Sequence, residues 1–506
     1  MHNFKKNKLA LAFISLGLTG NALAGETIEL SDNVTLDWKG TLTYSAASRL
    51  EDQNKNLTSS GNTNFDKGDM INNGLSLLME GHLRFGNSGL VVSGSTFYDD
   101  VYQDDKFTAD AERYHGGYSR LLDAYVYTAF PFGETGYADF RAGSHVVAWG
   151  EALFFPSMSL AQGPSDAIKS GVPGTEVKDI LLPEEQVSMQ LEITPDLSLL
   201  AHYQYDWHET VVSEPGAFFS TSDAVGNGAT CMGAAPGETC SFGARADDLT
   251  PENDQWGVGA RYRISDLTEI GLYYLNYNSR IPVTYFYGMP DNKYSISYMD
   301  DIDLYGATFT TSVGIASVAG EVTYKKGAPV LVSTSLGPSI IPSPARADVL
   351  QTNLNAIINF GNSPISDSAT LTTEIAYVDI RDVEEASFYA DSAGASATDE
   401  LYWTSYGLAA SASLNLAYPG ITESWDMGIP VGYARQLKGR TLTGGVDSEG
   451  DHRFGIGADF THHRSGVQVG VKYLAYMGDH NADTEAYEQK LLTDRDNISL
   501  TVKYAF

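Results

Sequence analysis

The last ten residues, Asn497 to Phe506, alternate between two kinds of side chain. Ile498, Leu500, Val502, Tyr504 and Phe506 share one parity; Asn497, Ser499, Thr501, Lys503 and Ala505 share the other. Period two is the mark of a β-strand whose faces meet different surroundings, because successive side chains point to opposite sides of the pleat. A soluble sandwich strand can alternate likewise, but it does not usually carry the pattern to the chain end and stop on an aromatic. The alternation returns along the chain. Leu75, Leu77, Met79, Leu83 and Phe85 oppose Ser76, Glu80, His82 and Arg84; Leu197, Leu199, Ala201, Tyr203, Tyr205 and Trp207 oppose Ser198, His202, Gln204 and Asp206. Trp256, Val258, Ala260, Tyr262 and Ile264 oppose Gln255, Arg261 and Arg263, and Val467, Val469, Val471 and Tyr473 oppose Gln468, Gly470 and Lys472. Aromatics gather toward strand ends, as interfacial girdles require.

The spacing of these runs is the stronger test. Strands are expected near 34–46, 74–85, 89–98, 120–130, 137–148, 186–193, 197–207, 255–264, 268–278, 303–312, 315–325, 350–360, 369–379, 403–416, 422–434, 452–461, 466–476 and 497–506. Their connections alternate between short, as at 131–136, 194–196, 265–267 and 462–465, and long, as at 47–73, 99–119, 149–185, 208–254, 279–302, 326–349, 380–402, 438–451 and 477–496. An even strand number, short periplasmic turns and long extracellular loops are what a transmembrane antiparallel β-barrel with both termini in the periplasm predicts. The fold class is therefore all-β, a barrel of about 18 strands with 16 as the alternative count. Closure answers a physical demand, since no strand edge can stay unpaired in lipid. No Pro- or Ser-rich linker divides the chain, so residues 25–506 are expected to form one barrel domain.

Residues 1–24 read as a cleaved signal peptide, with Lys5, Lys6 and Lys8 before an apolar run from Leu9 to Leu18 and a small-x-small site at Ala22-Leu23-Ala24. Ten apolar residues are too few to span a bilayer. The expected location is the outer membrane of a Gram-negative-type envelope. Removing the three signal lysines takes the formal charge of −32 to −35. That balance excludes a nucleic-acid partner, which needs a basic surface, and suits acidic outer loops bridged by divalent cations to anionic lipid. Cys231 and Cys240, the only cysteines, read as a local disulfide in an oxidising compartment, with a two-thiolate metal site as the poorer rival.

A barrel this wide needs something to narrow its lumen. Segment 149–185 is the candidate for a plug or constriction, too apolar for a solvated loop (Phe154, Phe155, Met158, Leu160, Ile168, Ile180, Leu181 and Leu182) and punctuated at Gly163-Pro164, Pro173-Gly174 and Pro183. The alternative is a loop packing on itself above the barrel. Inward-facing ionisable residues are mixed in sign: Glu80, Arg84, Asp123, Asp139, Arg141, His145, His202, Asp206, Arg261, Arg263 and Lys472. They either line a substrate path or pair with each other. Asp99-Asp100 with Asp104-Asp105 could hold a divalent cation, though a solvated acidic loop is the simpler reading. Asp479-His480 is a lone dyad, and neither a nucleophile–base spacing, a phosphate-cradling glycine motif nor a zinc-ligand spacing stands out. The expectation is a protein that is not an enzyme and uses no cofactor or metal.

Several segments resemble the proteobacterial outer-membrane protein family defined by a domain of unknown function (1302). They are Asn64-Phe65-Asp66-Lys67-Gly68-Asp69 leading into Gly74-Leu75-Ser76-Leu77-Leu78, Arg141 to Glu151, Pro173 to Pro183, and Ala217-Phe218-Phe219-Ser220-Thr221-Ser222-Asp223. Trp149-Gly150-Glu151 is the most specific part. Where the family pattern has arginine or glutamine after the glycine, this chain has Ser144-His145. The resemblance implies an outer-membrane location, a periplasmic carrier protein and an inner-membrane efflux-type transporter as partners, and movement of lipid- or steroid-like molecules.

The function expected is a passive channel for hydrophobic or amphipathic small molecules, gated by 149–185. Trp149, Phe154, Phe155 and Met158 would form the apolar constriction, and Arg141, His145 and Glu151 its polar edge. A polar-solute or cation porin, and a barrel that binds surfaces through its outer loops, are the alternatives. Tyr504 and Phe506 match the terminal signal read by barrel-assembly machinery, although Thr501 stands where such signals often carry glycine. The closing strand is expected to pair with the first strand near Val34.

Overall fold

The structure is a computed structural model that describes residues 25, 27–133, 136–232, 240, 243–287, 291–336, 339–384, 398–481 and 483–506. The expected signal peptide, residues 1–24, lies outside the described residues. Eighteen strands form the wall: β1 (Val34–Arg49), β2 (Met70–Phe85), β3 (Ser88–Asp99), β4 (Ser119–Phe132), β5 (Gly136–His145), β6 (Glu184–Thr194), β7 (Leu197–Gln204), β8 (Gln255–Ser265), β9 (Thr268–Tyr277), β10 (Ile302–Val313), β11 (Ala316–Leu336), β12 (Ser339–Ser363), β13 (Ser366–Arg381), β14 (Tyr406–Thr422), β15 (Trp425–Gly439), β16 (His452–His462), β17 (Gln468–Met477) and β18 (Asn497–Ala505). Each pairs antiparallel with its neighbours in sequence, and β18 returns to β1, so the sheet closes. Glycine serves the tight turns where positive φ is required, as at Gly86 (φ 61°) and Gly314 (φ 60°). Among the described residues no helix is long and apolar enough to cross a membrane.

Alternation sets the two faces of the wall. Ile498 and Leu500 are exposed on the outer surface while Asn497 and Ser499 are buried inside; Val322 is exposed between buried Glu321 and Thr323. An apolar outer band around a polar interior is the arrangement of a barrel whose solvent is lipid. Tyrosines near the long-loop rim anchor to acids on neighbouring segments, as in Tyr274 to Asp303 (2.6 Å) and Tyr473 to Asp496 (2.5 Å).

Three expectations need correction. The closing register runs from Thr41↔Ala505 to Arg49↔Asn497, and not from Val34. Tilted strands in a closed barrel are staggered, which leaves the first residues of β1 beyond the reach of β18. A short strand, Thr27–Ser31, pairs with Val34–Asp37 and covers that edge. Second, 326–349 is not a loop: β11 and β12 continue past the barrel as a hairpin with pairs from Ala328↔Ala347 outward, after a bulge at Gly327. Third, the outer connections hold a small sheet of their own, made by Ala244–Arg245, Val283–Phe286 and Lys293–Ser297. Cys231 and Cys240 beside it are joined by a disulfide.

The outer loops pack over the barrel mouth. Phe65, Tyr102, Ala217 and Phe218 share a buried cluster, so two of the family-like segments, 64–69 and 217–223, meet in space. Arg49 and Arg495 are buried beneath them, both bound to Asp494 (2.9 and 2.5 Å) and both lying against the Phe218 ring.

At the seam, Gly40 and Phe506 exchange backbone hydrogen bonds (2.7 and 2.8 Å), and the Phe506 ring lies over Gly40, where a Cβ would stand 2.5 Å from it. Gly40→Val is expected to expel that ring and destabilise the refolded barrel by about 1–3 kcal/mol, the usual cost of overpacking. Urea titration followed by heat-modifiable gel mobility measures it. Gly432→Ala, where nothing lies within 4 Å, serves as control, and equal midpoints for both variants would contradict the assignment.

Candidate functional site: a segment strapped across the lumen

After His145 the chain leaves the wall and returns to it only at Glu184. On one side, residues 149–162 lie against the inner faces of β7 and of β9 to β13. Trp149 is buried with its ring edge-on to His202 (4.9 Å) and tilted against Tyr273 (5.7 Å). Met158 is fully buried in the same cluster, with Leu275 and Leu304, and its methyl occupies the space that a Cβ on Gly306 would need. Phe155 is buried against Ala376 and Ala409.

Residues 151–158 make no regular structure, so their backbone N–H groups need acceptors elsewhere. Two buried wall carboxylates supply them. Glu321 accepts from Glu151 N (2.8 Å), Met158 N (2.9 Å) and Ala152 N (3.4 Å). Glu374 accepts from Leu153 N (3.0 Å), Phe155 N (3.3 Å) and Phe154 N, and from Asn353 Nδ2 (2.6 Å). The carbonyls are met in turn: Phe155 O accepts from Gln351 and Asn353 (3.0 and 2.9 Å), and Glu151 O from Asn355 (2.6 Å). Charge-assisted bonds of this kind are the stronger class.

The segment then crosses to the opposite wall. Arg120 on β4 binds Asp166 (2.8 Å); Lys178 bridges Glu80 on β2 and Asp123 on β4 (2.8 Å each); Glu176 takes Lys503 on β18 (2.7 Å). These last groups are partly exposed, so water and salt weaken them more than the buried carboxylates opposite. Between this half and the wall lies a cavity of about 470 Å³, reached by Phe97, Ile168, Phe219, Lys169, Lys472 and Lys503. Near β14 to β17 the inner face carries Gly428, Pro430, Gly432, Gly455 and Gly457, small residues that project little into the lumen.

Of the residues singled out from sequence, Trp149, Glu151, Phe155 and Met158 are brought to one wall. Burial raises the Glu151 carboxyl above the usual carboxylate range. Phe154, with Leu153, remains exposed at the tip of the segment. Arg141 and His145 stand apart: Arg141 pairs with Asp139 on its own strand (3.1 Å), and buried His145 bonds Ser188 (2.7 Å) with its ring against Tyr125. Glu321 and Glu374 were not foreseen; their signal was a carboxylate in the middle of a strand run whose other charge, Lys325 or Asp379, stands at its end. Asp99 is occupied by Asn72, Asn73 N and Val101 N, and His480 bonds the Lys490 carbonyl.

Where the segment rejoins the wall, buried Arg280 binds Glu184 (3.3 Å), Gln204 (3.0 Å) and Ala161 O (3.1 Å). Burial lowers the Arg280 guanidinium, opposed by Glu184. Glu184, Glu185 and His208 bring ligand atoms within 4.8 Å of one another. His208 Nδ1 already bonds Glu184 (3.0 Å), and that hydrogen bond raises His208 to about 9.

The family model for "Protein of unknown function (DUF1302)" matches residues 6–506. The chain belongs to that family. No curated protein matches it. Among solved structures it is similar to Pseudomonas aeruginosa OpdK with vanillate (9% identity, 93% of this chain and 98% of that chain, TM-score 0.44). It is likewise similar to Acinetobacter baumannii OccAB1 (10%, 93% and 96%, 0.46) and to the Acinetobacter baumannii outer-membrane channel DcaP (11%, 96% and 100%, 0.41). Such identities carry no residue role from one chain to another.

Two expectations follow. Glu374→Ala orphans three backbone N–H groups, each costing roughly 1–3 kcal/mol if left buried; single-channel conductance should rise severalfold and residues 149–158 should become cleavable by added protease. Unchanged conductance and protection in a folded barrel would show that the carboxylate does not hold the segment. The His208–Glu184 pair is fully in place below the ordinary histidine value of 6.5 and is lost as pH rises through about 9. His208→Gln should therefore flatten the fall of urea stability between those two pH values.

Proposed function

We propose that this barrel is a passive outer-membrane channel for hydrophobic or amphipathic small molecules, with segment 149–185 as its constriction. One observation carries the reading: the segment reaches both walls, with Leu153 and Phe154 exposed on the side held by β13 and a cavity of mixed apolar and charged lining beside residues 168–180 on the other. A small number of apolar surfaces with convergent polar groups is the usual composition of a small-molecule site. A barrel has no energy source, so direction comes from a gradient. The periplasmic carrier and the inner-membrane efflux-type transporter implied by the family resemblance are the partners proposed to set it. Cleavage of residues 1–24, export, and insertion guided by Tyr504 and Phe506 complete the proposed route to the outer membrane.

The alternative is a polar-solute or cation porin. It is favoured by Asp459 and Lys472, which face inward yet remain exposed, beside the glycine-lined wall.

Deleting 155–180 and measuring conductance in planar bilayers together with uptake of a lipophilic dye separates the readings. The constriction predicts brief, small openings in the full chain and a several-fold larger, less selective conductance after deletion. If both measurements are the same with and without the segment, the constriction is wrong. A steady, large ionic current in the full chain supports the porin.

A further inference from the structure

Lys169 lies in a short helix, Ala167–Ser170, on the wall side of the strapped segment. It is 6% exposed. Its neighbour is the ring of Phe97, whose centroid lies 2.8 Å from Nζ; among the described residues its ammonium has neither a hydrogen-bond acceptor nor a carboxylate at ion-pair distance. A buried cation without a counter-ion is costly, and proteins ordinarily pair it.

Two of the three acids nearest to Lys169 are committed elsewhere, and the third lies beyond ion-pair distance of its ammonium. Asp166 receives Arg120 (2.8 Å) and the backbone N of Lys169 (2.9 Å). Asp99 receives Asn72 Nδ2 (2.5 Å) and two backbone N–H groups. Asp179 faces Arg120 at 4.0 Å. Lys169 instead lines the cavity of about 470 Å³. A second ammonium, Lys472 on β17, lines the same cavity and also has no acceptor among the described residues, while Lys503 is taken by Glu176 (2.7 Å). Phe97, Ile168, Val172 and Phe219 supply apolar surface between them.

We propose that this cavity is a binding subsite for an amphipathic anion, a carboxylate or its equivalent on an apolar body, whose head group is taken by Lys169 from the segment and Lys472 from the wall. The proposal rests on the channel reading above and narrows its substrate class. Asp99, Asp179 and Asp459 also line the cavity, but Asp99 is held by Asn72 and two backbone N–H groups and Asp459 is opposed by Lys472 and Lys503. A neutral lipid would leave Lys169 unpaired on binding, and an organic cation would meet its ammonium.

The proton on Lys169 adds a second signature. Burial lowers its amine to about 7, and the groups facing it are Asp166, Arg120, Asp179, Asp99 and His115, with Phe97 beneath. A lowered amine carries its charge below about 7 and loses it above, so anion affinity should fall as pH rises through that value.

The test uses the full refolded chain in detergent and calorimetric titration with 3-phenylpropionate, 3-phenylpropionamide and 3-phenylpropylamine. The acid is expected to bind at least tenfold more tightly than the amide or the amine, and more tightly at pH 6 than at pH 8.5. Lys472→Met should lower that affinity several-fold, and Lys169→Met should lower it tenfold and abolish the pH dependence, with heat-modifiable mobility confirming that both variants fold. No measurable binding of the acid, equal affinity for acid and amide, or wild-type affinity in Lys472→Met and Lys169→Met would overturn the proposal. Because titration reads binding and bilayer recording reads conduction, binding in a non-conducting barrel would refute the channel and leave the subsite. Conduction without binding would do the reverse.

Discussion

A backbone amide facing hydrocarbon has no water to bond, and every other feature of this chain accommodates that fact. The wall must close, so β18 has to find β1, and the exchange between Gly40 and Phe506 is where the last strand locks in. Because strands in a closed sheet are staggered, closure alone leaves part of β1 bare; Thr27–Ser31 covers it. Once backbone pairing holds the wall together, the inner side chains no longer have to do so. That freedom explains why the interior can be as polar as Thr323, Gln351 and Asn353 make it.

A wide wall creates a second backbone problem inside. A segment that leaves the sheet and crosses the lumen carries its own N–H and C=O groups away from any ladder. Residues 151–158 solve this without secondary structure, by placing runs of N–H groups on Glu321 and Glu374. The same pairing meets two needs, since a buried carboxylate is itself unfavourable without donors. The far half of the segment is held differently, by partly exposed ion pairs at Lys178 and Glu176. Such pairs are worth less and screen with salt. The segment therefore has a fixed end at β11 to β13 and a looser end over the cavity, an asymmetry suited to a constriction that yields on one side.

The wall was legible in the sequence because a half-lipid, half-lumen strand writes its period directly into the residues. All eighteen strands sit where alternation places them. What escaped is what alternation cannot encode. Gly327, Pro329, Pro342 and Pro344 read as a loop, yet Gly327 forms a bulge and the three prolines, which donate no backbone hydrogen bond, stand in a projecting hairpin that pairs with no further strand among the described residues. The pairing partner of Val34 depended on stagger, a property of the closed sheet as a whole. In the lumen, the apolar character of 149–185 singled out a segment without showing what holds it, since wall residues such as Glu321 lie more than 160 residues along the chain from the Met158 they bind. A single strand shows that a carboxylate faces inward; only the fold shows what it faces. Trp149, Phe155 and Met158 were conspicuous for the same apolarity that buries them, whereas the exposed tip falls to Leu153 and Phe154.

Charge gives the last step. With 64 acidic and 32 basic residues, a cation in this protein should rarely lack a partner, and the buried arginines have theirs: Arg49 and Arg495 share Asp494 and Arg280 holds Glu184, as half-buried Arg120 holds Asp166. Lys169, like Lys325 on β11, departs from that pattern; of the three carboxylates around Lys169, Asp166 and Asp99 are turned toward other donors and Asp179 has Arg120 at 4.0 Å. Arg120 is the residue that takes two of them, binding Asp166 and facing Asp179 from the wall. The arrangement thus ties the segment to β4 and, by the same bonds, draws a counter-ion away from Lys169, which meets the cavity together with Lys472 and Lys503. Restraint of the segment and the chemistry of the space beside it are consequences of a single set of contacts.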